Sequence, residues 1–276
     1  MTRKSVFSLL PSVVLILAVS GIALTKTLLG SVGLWSDAGK SHASLSSLHA
    51  ISKSAGSALV LSVELATVST MLAASLGLLI AYLIHMAKRF SRTLAIVTGL
   101  ILITPHVVAA VSFNLLLGDA GFLSRFFHFL SPSWPQFVAG PLWLAVILDF
   151  AWKESAFIAL VLLASLPPHI REMRNVASTL GANPMRVAMK VLLPTVKPAL
   201  IISSGLAFIY SLGSFEAAWM LGRTYPEPLS IMTFRLFSNS DLRLRPQAYA
   251  SAVLSIVVIG LAAAVITVFI PKKVKI

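Results

Sequence analysis

The sequence predicts an all-α, polytopic membrane helix bundle of six transmembrane helices, with a cytoplasmic helix inserted between spans 4 and 5. Three observations carry this prediction. First, 57% of the 276 residues are hydrophobic, only 11% are charged, and the mean hydropathy is +0.91. A soluble domain carries about 25% charged residues, so this chain cannot cover a water-facing surface and lipid is its main solvent. Second, six apolar runs reach the roughly 20 residues that cross a bilayer as a helix. Third, the net charge of +13 is gathered in short clusters between those runs. That is how loop charges orient a membrane protein, and it argues against the nucleic-acid partner that the same charge would suggest in a soluble chain. The absence of cysteine excludes disulfides, thiolate metal sites and a cysteine nucleophile.

The first run, 6–29, follows Arg3 and Lys4. A basic start before an apolar run also describes a signal peptide, and Gly21-Ile22-Ala23 resembles a small-residue cleavage site. The run exceeds the usual 7–15 apolar residues of such a segment, so it reads as a span. Residues 30–55 are rich in Ser, Gly and Ala and read as a polar outer loop. The second span is 57–86 and the third 93–117, joined by a basic turn at Lys88, Arg89 and Arg92. Residues 118–136 set Phe122, Phe126, Phe127, Phe129 and Trp134 beside Arg125, which reads as a short helix lying at the membrane interface. The fourth span is 138–166, the fifth 199–222 and the sixth 248–270, with polar segments 167–198 and 223–247 between them. The chain therefore divides into a first transmembrane helix and outer loop (1–56), a transmembrane domain (57–270) and a cytoplasmic tail (271–276).

Basic residues orient the bundle. With the N-terminus in the cytoplasm, the inner segments hold Arg3 and Lys4, the Lys88–Arg92 turn, then Arg171, Arg174, Arg186, Lys190 and Lys197, and finally Lys272, Lys273 and Lys275. The outer segments hold fewer: Lys26, Lys40, Lys53, Arg125, Arg223, Arg235, Arg243 and Arg245. Six spans with both termini inside satisfy this bias.

The segment PPHIREMRNVASTLGANPMRVAMKVLLPTVKPAL, residues 167–200, is too polar to span and too long for a tight turn. Its first part is helix-forming up to Gly181, a residue suited to a left-handed cap. Asn183-Pro184 opens a second short helix reaching Lys190, and Pro194 and Pro198 are expected to break the chain before the fifth span. The product is a short helix pair on the cytoplasmic face, able to enter a partner's groove.

At these residues the chain resembles the permeases of binding-protein-dependent ABC importers. Their shared loop runs Glu-Ala-Ala, three residues, Gly, nine residues, Ile, one residue, Leu-Pro. Here Gly181 is followed after nine residues by Val191 and then Leu193-Pro194; Ala177 holds the second alanine, while Asn175 and Val176 replace the glutamate and first alanine. Trp152-Lys153-Glu154, Phe157 and Ala164-Ser165-Leu166 resemble the family's lead-in helix, and Gly213-Ser214-Phe215-Glu216 with Leu221-Gly222 its fifth span. The resemblance covers roughly 57–270. The Leu180-Gly181-Ala182 context is more similar to the iron, polyamine, thiamine, phosphonate and sulfate group of that family than to its sugar group.

The resemblance implies a coupling helix that docks on a cytoplasmic ATPase, carried by Asn175, Val176, Ala177, Ser178, Gly181, Ala182, Val191, Leu193 and Pro194. It implies as partners two ABC ATPase subunits, a second permease subunit (identical or similar) and an extracytoplasmic solute-binding protein, all at a bacterial inner membrane. ATP and Mg would be held by the ATPase, with no cofactor and no catalysis in this chain. The alternative is a secondary transporter or channel without an ATPase; it calls for interrupted helices and internal repeats, and neither is evident in the apolar runs. A non-transporting scaffold would leave the proline-bounded insertion unexplained.

Residues 34–41, LWSDAGKS, nearly spell a phosphate-binding loop, but Gly33 lies one residue too far from Gly39 and no strand precedes it. Ionisable residues within spans are costly and mark functional positions. Glu64, Asp149, Lys153, Glu154 and Glu216, with the polar Asn114, are the candidates for a translocation path. Asp149 and Lys153 lie four apart on one helix face, so mutual neutralisation is the simplest expectation for them. His106 is expected to find an interhelical hydrogen bond, His85 to sit at a membrane edge, and Ser203-Ser204-Gly205 to allow close helix packing. No catalytic or metal-ligand constellation emerges.

Overall fold

The computed structural model describes residues 3–35, 42–87, 89–127 and 133–269, and among these it contains helices and no strand. Most of the look-alike phosphate loop (36–41), Lys40, Lys88, Phe129 and the tail 271–276 lie outside the described residues. Five helical segments are long and apolar enough to cross a membrane: Leu10–Ser31, Ser46–Met86, His106–Phe127, Met185–Gly213 and Leu242–Phe269. A sixth long helix, Leu144–Ser165, is as apolar in its flanks but carries Asp149, Lys153 and Glu154. The expected all-α bundle is present.

Two compact units make up the chain. In the first, residues 1–59 and 228–258, helix α1 (Arg3–Ser31) is followed by the start of α2 (Ser46–Met86). Ten residues expected in the outer loop are thus helical. One buried face explains why: Ile51 and Ala55, spaced with Ala58 to share it, join Leu229, Met232 and Leu236 in an apolar cluster with Ala248 and Ala250. Gly30 lies so close to the Tyr249 ring that an added Cβ would overlap it.

The second unit, residues 60–227 and 259–276, holds the rest of α2, then α3 (Ser91–Ile103), α4 (His106–Leu117), α5 (Phe122–Phe127), α6 (Leu144–Ser165), α7 (Ile170–Thr179), α8 (Pro184–Val187), α9 (Leu193–Gly213) and α10 (Glu216–Leu221). Helix α6 is its axis, packed against α3, α4, α9 and α10. Ala73, Ala81, Ile158, Ala159, Leu162, Val196 and Ala207 form its apolar core. Small residues permit the approach: a Cβ on Gly77 would lie 2.9 Å from the Ile158 side chain and 2.9 Å from the Ser155 carbonyl. The aromatic segment does form a short helix, α5, with Phe122 and Phe126 exposed and stacked.

Three expectations are corrected. The third span is interrupted at Thr104-Pro105, between α3 and α4, because Pro105 has no N–H for the ladder and disfavours helical geometry before it. The fifth is interrupted at Ser214-Phe215, where Ser214 turns to extended geometry. Interrupted segments are therefore present, hidden by the unbroken apolar composition around them. Conversely, Pro194 and Pro198 do not break the chain: the π-helical turn Ala188–Leu192 runs directly into α9, which contains both prolines. Pro194 follows the π turn immediately, where the helical ladder is already shifted.

Helix packing around Gly77 gives a first prediction. Gly77→Ala forces overlap with Ile158 and the Ser155 carbonyl and costs about 1–3 kcal/mol; thermal unfolding in detergent should show a lowered midpoint. Gly99→Ala, where the added carbon meets nothing within 4 Å, should leave the midpoint unchanged or higher.

Candidate functional site

Two constellations stand out in the second unit, and α6 connects them. The first is the polar insertion after α6. Leu166 and Pro167 end that helix, and α7 begins at Ile170. At its far end the Gly181 N–H donates to the Ser178 carbonyl at 3.0 Å and the Ala182 N–H to the Ala177 carbonyl at 3.0 Å. This bond pair is the Schellman cap, and it places its glycine in the left-handed region; Gly181 has φ +79°. A Cβ there would meet nothing within 4 Å, so glycine is required by backbone conformation alone. Asn183 then caps α8, its Oδ1 accepting from the Arg186 N–H at 2.8 Å.

Helix α7 is two-faced. Ile170 is buried, Arg174 and Ala177 are half-buried, and the Arg174 guanidinium donates to the Met86 sulfur at the end of α2. The flanking stripe, Met173, Val176 and Leu180, is exposed, with Val176 61% and Leu180 82% accessible. Met185 and Met189 are exposed as well. They line a cavity of about 490 Å³ together with Tyr82, His85, Leu162 and Leu166 among others.

The residues singled out from the sequence divide accordingly. Asn175, Val176, Ser178 and Gly181 are exposed, Ala177 and Ala182 half-buried. Val191 lies in the π turn and Leu193-Pro194 at the start of α9, beside the buried Leu192 and Val196. This half of the motif anchors the following span. Met173, Leu180, Met185 and Met189 were missed; the i, i+3, i+7 spacing of 173, 176 and 180 was the available signal.

The second constellation lies at the two helix interruptions. His106, first residue of α4, stacks on Tyr210 near the end of α9 with ring centroids 4.7 Å apart. Tyr210 shares a hydrogen bond with Ser214, and the Ser214 hydroxyl donates to the Glu216 carboxylate at 3.0 Å. From α6, Lys153 donates to the Thr104 carbonyl at the end of α3. Asp149 and Lys153 act on each other by charge but form no hydrogen-bonded pair: the ammonium bonds to backbone, and both Asp149 oxygens are buried without a hydrogen-bond partner. The reason is the interruption itself, which leaves a carbonyl at a helix end without an intrahelical donor. Lys153 remains the cation acting on Asp149, Glu154 and His106. Of the six path candidates, Asp149, Lys153, Glu154 and Glu216 gather here. Glu64 on α2 and Asn114 on α4 are exposed. His106, expected to hydrogen-bond, instead stacks, and its Nδ1 has no partner.

Residues 73–276 match the family of the binding-protein-dependent transport system inner membrane component. The chain belongs to this family. Among its relatives is the inner membrane ABC transporter permease protein YnjC of Escherichia coli, 32% identical over 180 residues, covering 63% of this chain and 34% of YnjC. The chain thus spans about a third of that relative. The molybdenum transport system permease protein ModB of Mycobacterium tuberculosis is 29% identical over 216 residues, covering 76% of this chain and 80% of ModB. In fold, the permease is similar to a chain of a bacterial ABC transporter that imports the acidic polysaccharide alginate, with TM-score 0.74, 18% identity and coverage of 97% and 96% of the two chains.

The cap of α7 supplies the second prediction. Gly181→Ala should leave the fold intact but cost about 1–2 kcal/mol of left-handed strain. Hydrogen exchange at the Ala182 amide should then quicken roughly tenfold, an effect of the φ angle alone because the site has open space.

Proposed function

We propose that this permease forms half of the translocation path of an ATP-driven importer for a small hydrophilic solute delivered by an extracytoplasmic binding protein. The observation that carries the reading is the exposed apolar stripe Met173–Val176–Leu180 on a capped helix between two spans. A helix buried on one face and apolar along an exposed flank fits a partner groove, with anchors at i, i+3 and i+7. The partner is a cytoplasmic ATPase, which holds the ATP and Mg; this chain hydrolyses nothing. Two ATPase subunits and a second permease subunit, identical or similar, complete the transporter. Closure of the ATPase pair moves α7, and through α6 and α9 the spans, so that the path opens alternately to each side.

Within the path reading, Glu154 and Glu216 are the carboxylates offered to the solute. Glu216 is half-buried and Glu154 8% exposed, whereas Asp149 is fully enclosed. Glu64 and Asn114 belong to the path only where a second subunit covers their exposed faces.

Docking through the stripe makes a direct prediction. Val176→Asp or Leu180→Asp should abolish copurification of the ATPase, because an interface core does not accept an unpaired charge, while Ser240→Ala in the outer segment should not. Retained copurification in both aspartate variants would overturn the docking role. The test also orients the chain: an ATPase held at α7 puts the insertion in the cytoplasm, and six spans then put both termini there. For the path, Glu154→Gln should lower solute uptake by about tenfold with ATPase binding unchanged, a loss of the size of one charged hydrogen bond. Normal uptake in a stable variant would remove Glu154 from it.

A further inference from the structure

We infer that Lys153 is a positioning residue that sets the bend of the third span and links that bend to the coupling loop. The inference rests on the docking reading above. The third span is interrupted at Thr104-Pro105, and the last carbonyls of α3 have no intrahelical donor. In lipid such a carbonyl must be satisfied from within the protein. Lys153 satisfies it: its ammonium donates to the Thr104 carbonyl, and the residue is 3% exposed. A cation there also meets the negative end of the α3 dipole. The four-carbon stem of lysine, leaving from α6, therefore ties the broken end of one span to another.

Nothing else in the cluster can take this part. Asp149, Glu154 and Glu216 are acceptors of hydrogen bonds when ionised, and His106 is committed to the Tyr210 ring on the far side of the interruption. The second interruption is held to the first by that same stack, because Tyr210 and Ser214 end α9 and Glu216 opens α10. One ammonium on α6 and one ring pair thus hold the two bent spans at a common level. Lys153 stands twelve residues before Ser165, the end of α6, about 18 Å along the axis at 1.5 Å per residue. The next helix in the chain is α7. A displacement of α7 that shifts α6 consequently pulls on the Thr104 carbonyl and changes the angle between α3 and α4.

The chain contains no cysteine, so spin labels attach only where cysteines are introduced. Labels at Leu94→Cys on α3 and Leu115→Cys on α4, both on exposed faces, report the bend as a distance in the transporter purified with its ATPase. The expected result is one narrow distance without nucleotide and a shift on trapping with ATP and vanadate. Lys153→Met should broaden the resting distribution, raising the share of a second distance about tenfold, as loss of a charge-assisted hydrogen bond implies, and should erase the vanadate shift. Lys153→Arg, which keeps a charged donor, should restore both. Because Lys153→Met also removes the cation beside Asp149, the double variant Lys153→Met/Asp149→Asn is measured with it and should show the same broadening. A narrow distance with a normal shift in either methionine variant would overturn the inference and leave the docking reading standing, as would equal broadening in Lys153→Arg. A normal chain that binds no ATPase would overturn both.

Discussion

A backbone carbonyl inside a bilayer has no water to turn to. Most of this chain meets that constraint in the simplest way, by long helices that bond every peptide group internally. Two spans do not. The α3–α4 and α9–α10 interruptions each leave helix-end groups at a depth where apolar residues dominate the sequence on both sides. The polar residues of the second unit are arranged around that deficit. Lys153 reaches the Thr104 carbonyl, and Ser214 bridges Tyr210 to Glu216 across the other turn. Burying an ammonium is itself expensive, and the carboxylates of Asp149 and Glu154 offset part of that cost by their field. The cation of α6, buried in an otherwise apolar helix, is explained by the bend it serves.

Helix α6 then has two duties. Near its middle it holds the bent spans, and at its end the chain leaves for the capped helix α7. A rigid α-helix transmits displacement along its axis with little loss, and its buried face of Ala156, Ile158, Ala159 and Leu162 allows no slack. The insertion is built for the complementary task. Its inner face is tied by Ile170 and by Arg174 to Met86, while the flank of Met173, Val176 and Leu180 is left apolar and uncovered. The exposed methionines at 173, 185 and 189 give the insertion apolar side chains that repack readily, because the thioether chain is unbranched and flexible.

The spacing pattern around Gly181 has a similar division of labour. Gly181 supplies a φ angle, Ala177 and Ser178 supply the carbonyls that close the cap, and Leu193-Pro194 begins a membrane span. A motif that reads as one unit in the chain is thus a turn and an anchor, separated by a helical turn of π geometry at Ala188–Leu192. Such a turn inserts one residue into the ladder and rotates the rest of the helix about its axis, which lets Val196 join the α6 core.

The sequence by itself determined the solvent, the helix class, the insertion between spans 4 and 5, and the left-handed cap at Gly181, because each depends on composition or on the local backbone. It also marked the charges of α6 as exceptional. It did not reveal the interruptions at Thr104-Pro105 and Ser214-Phe215, nor the continuation of α9 through Pro194 and Pro198. Proline in an apolar run has two outcomes, and which one occurs depends on where the freed carbonyl finds a donor. Nor did it reveal that Lys153 bonds to backbone 49 residues away while Asp149, four residues off, goes without. Helical spacing states which side chains share a face, and only the packed neighbours decide which of their partners they reach.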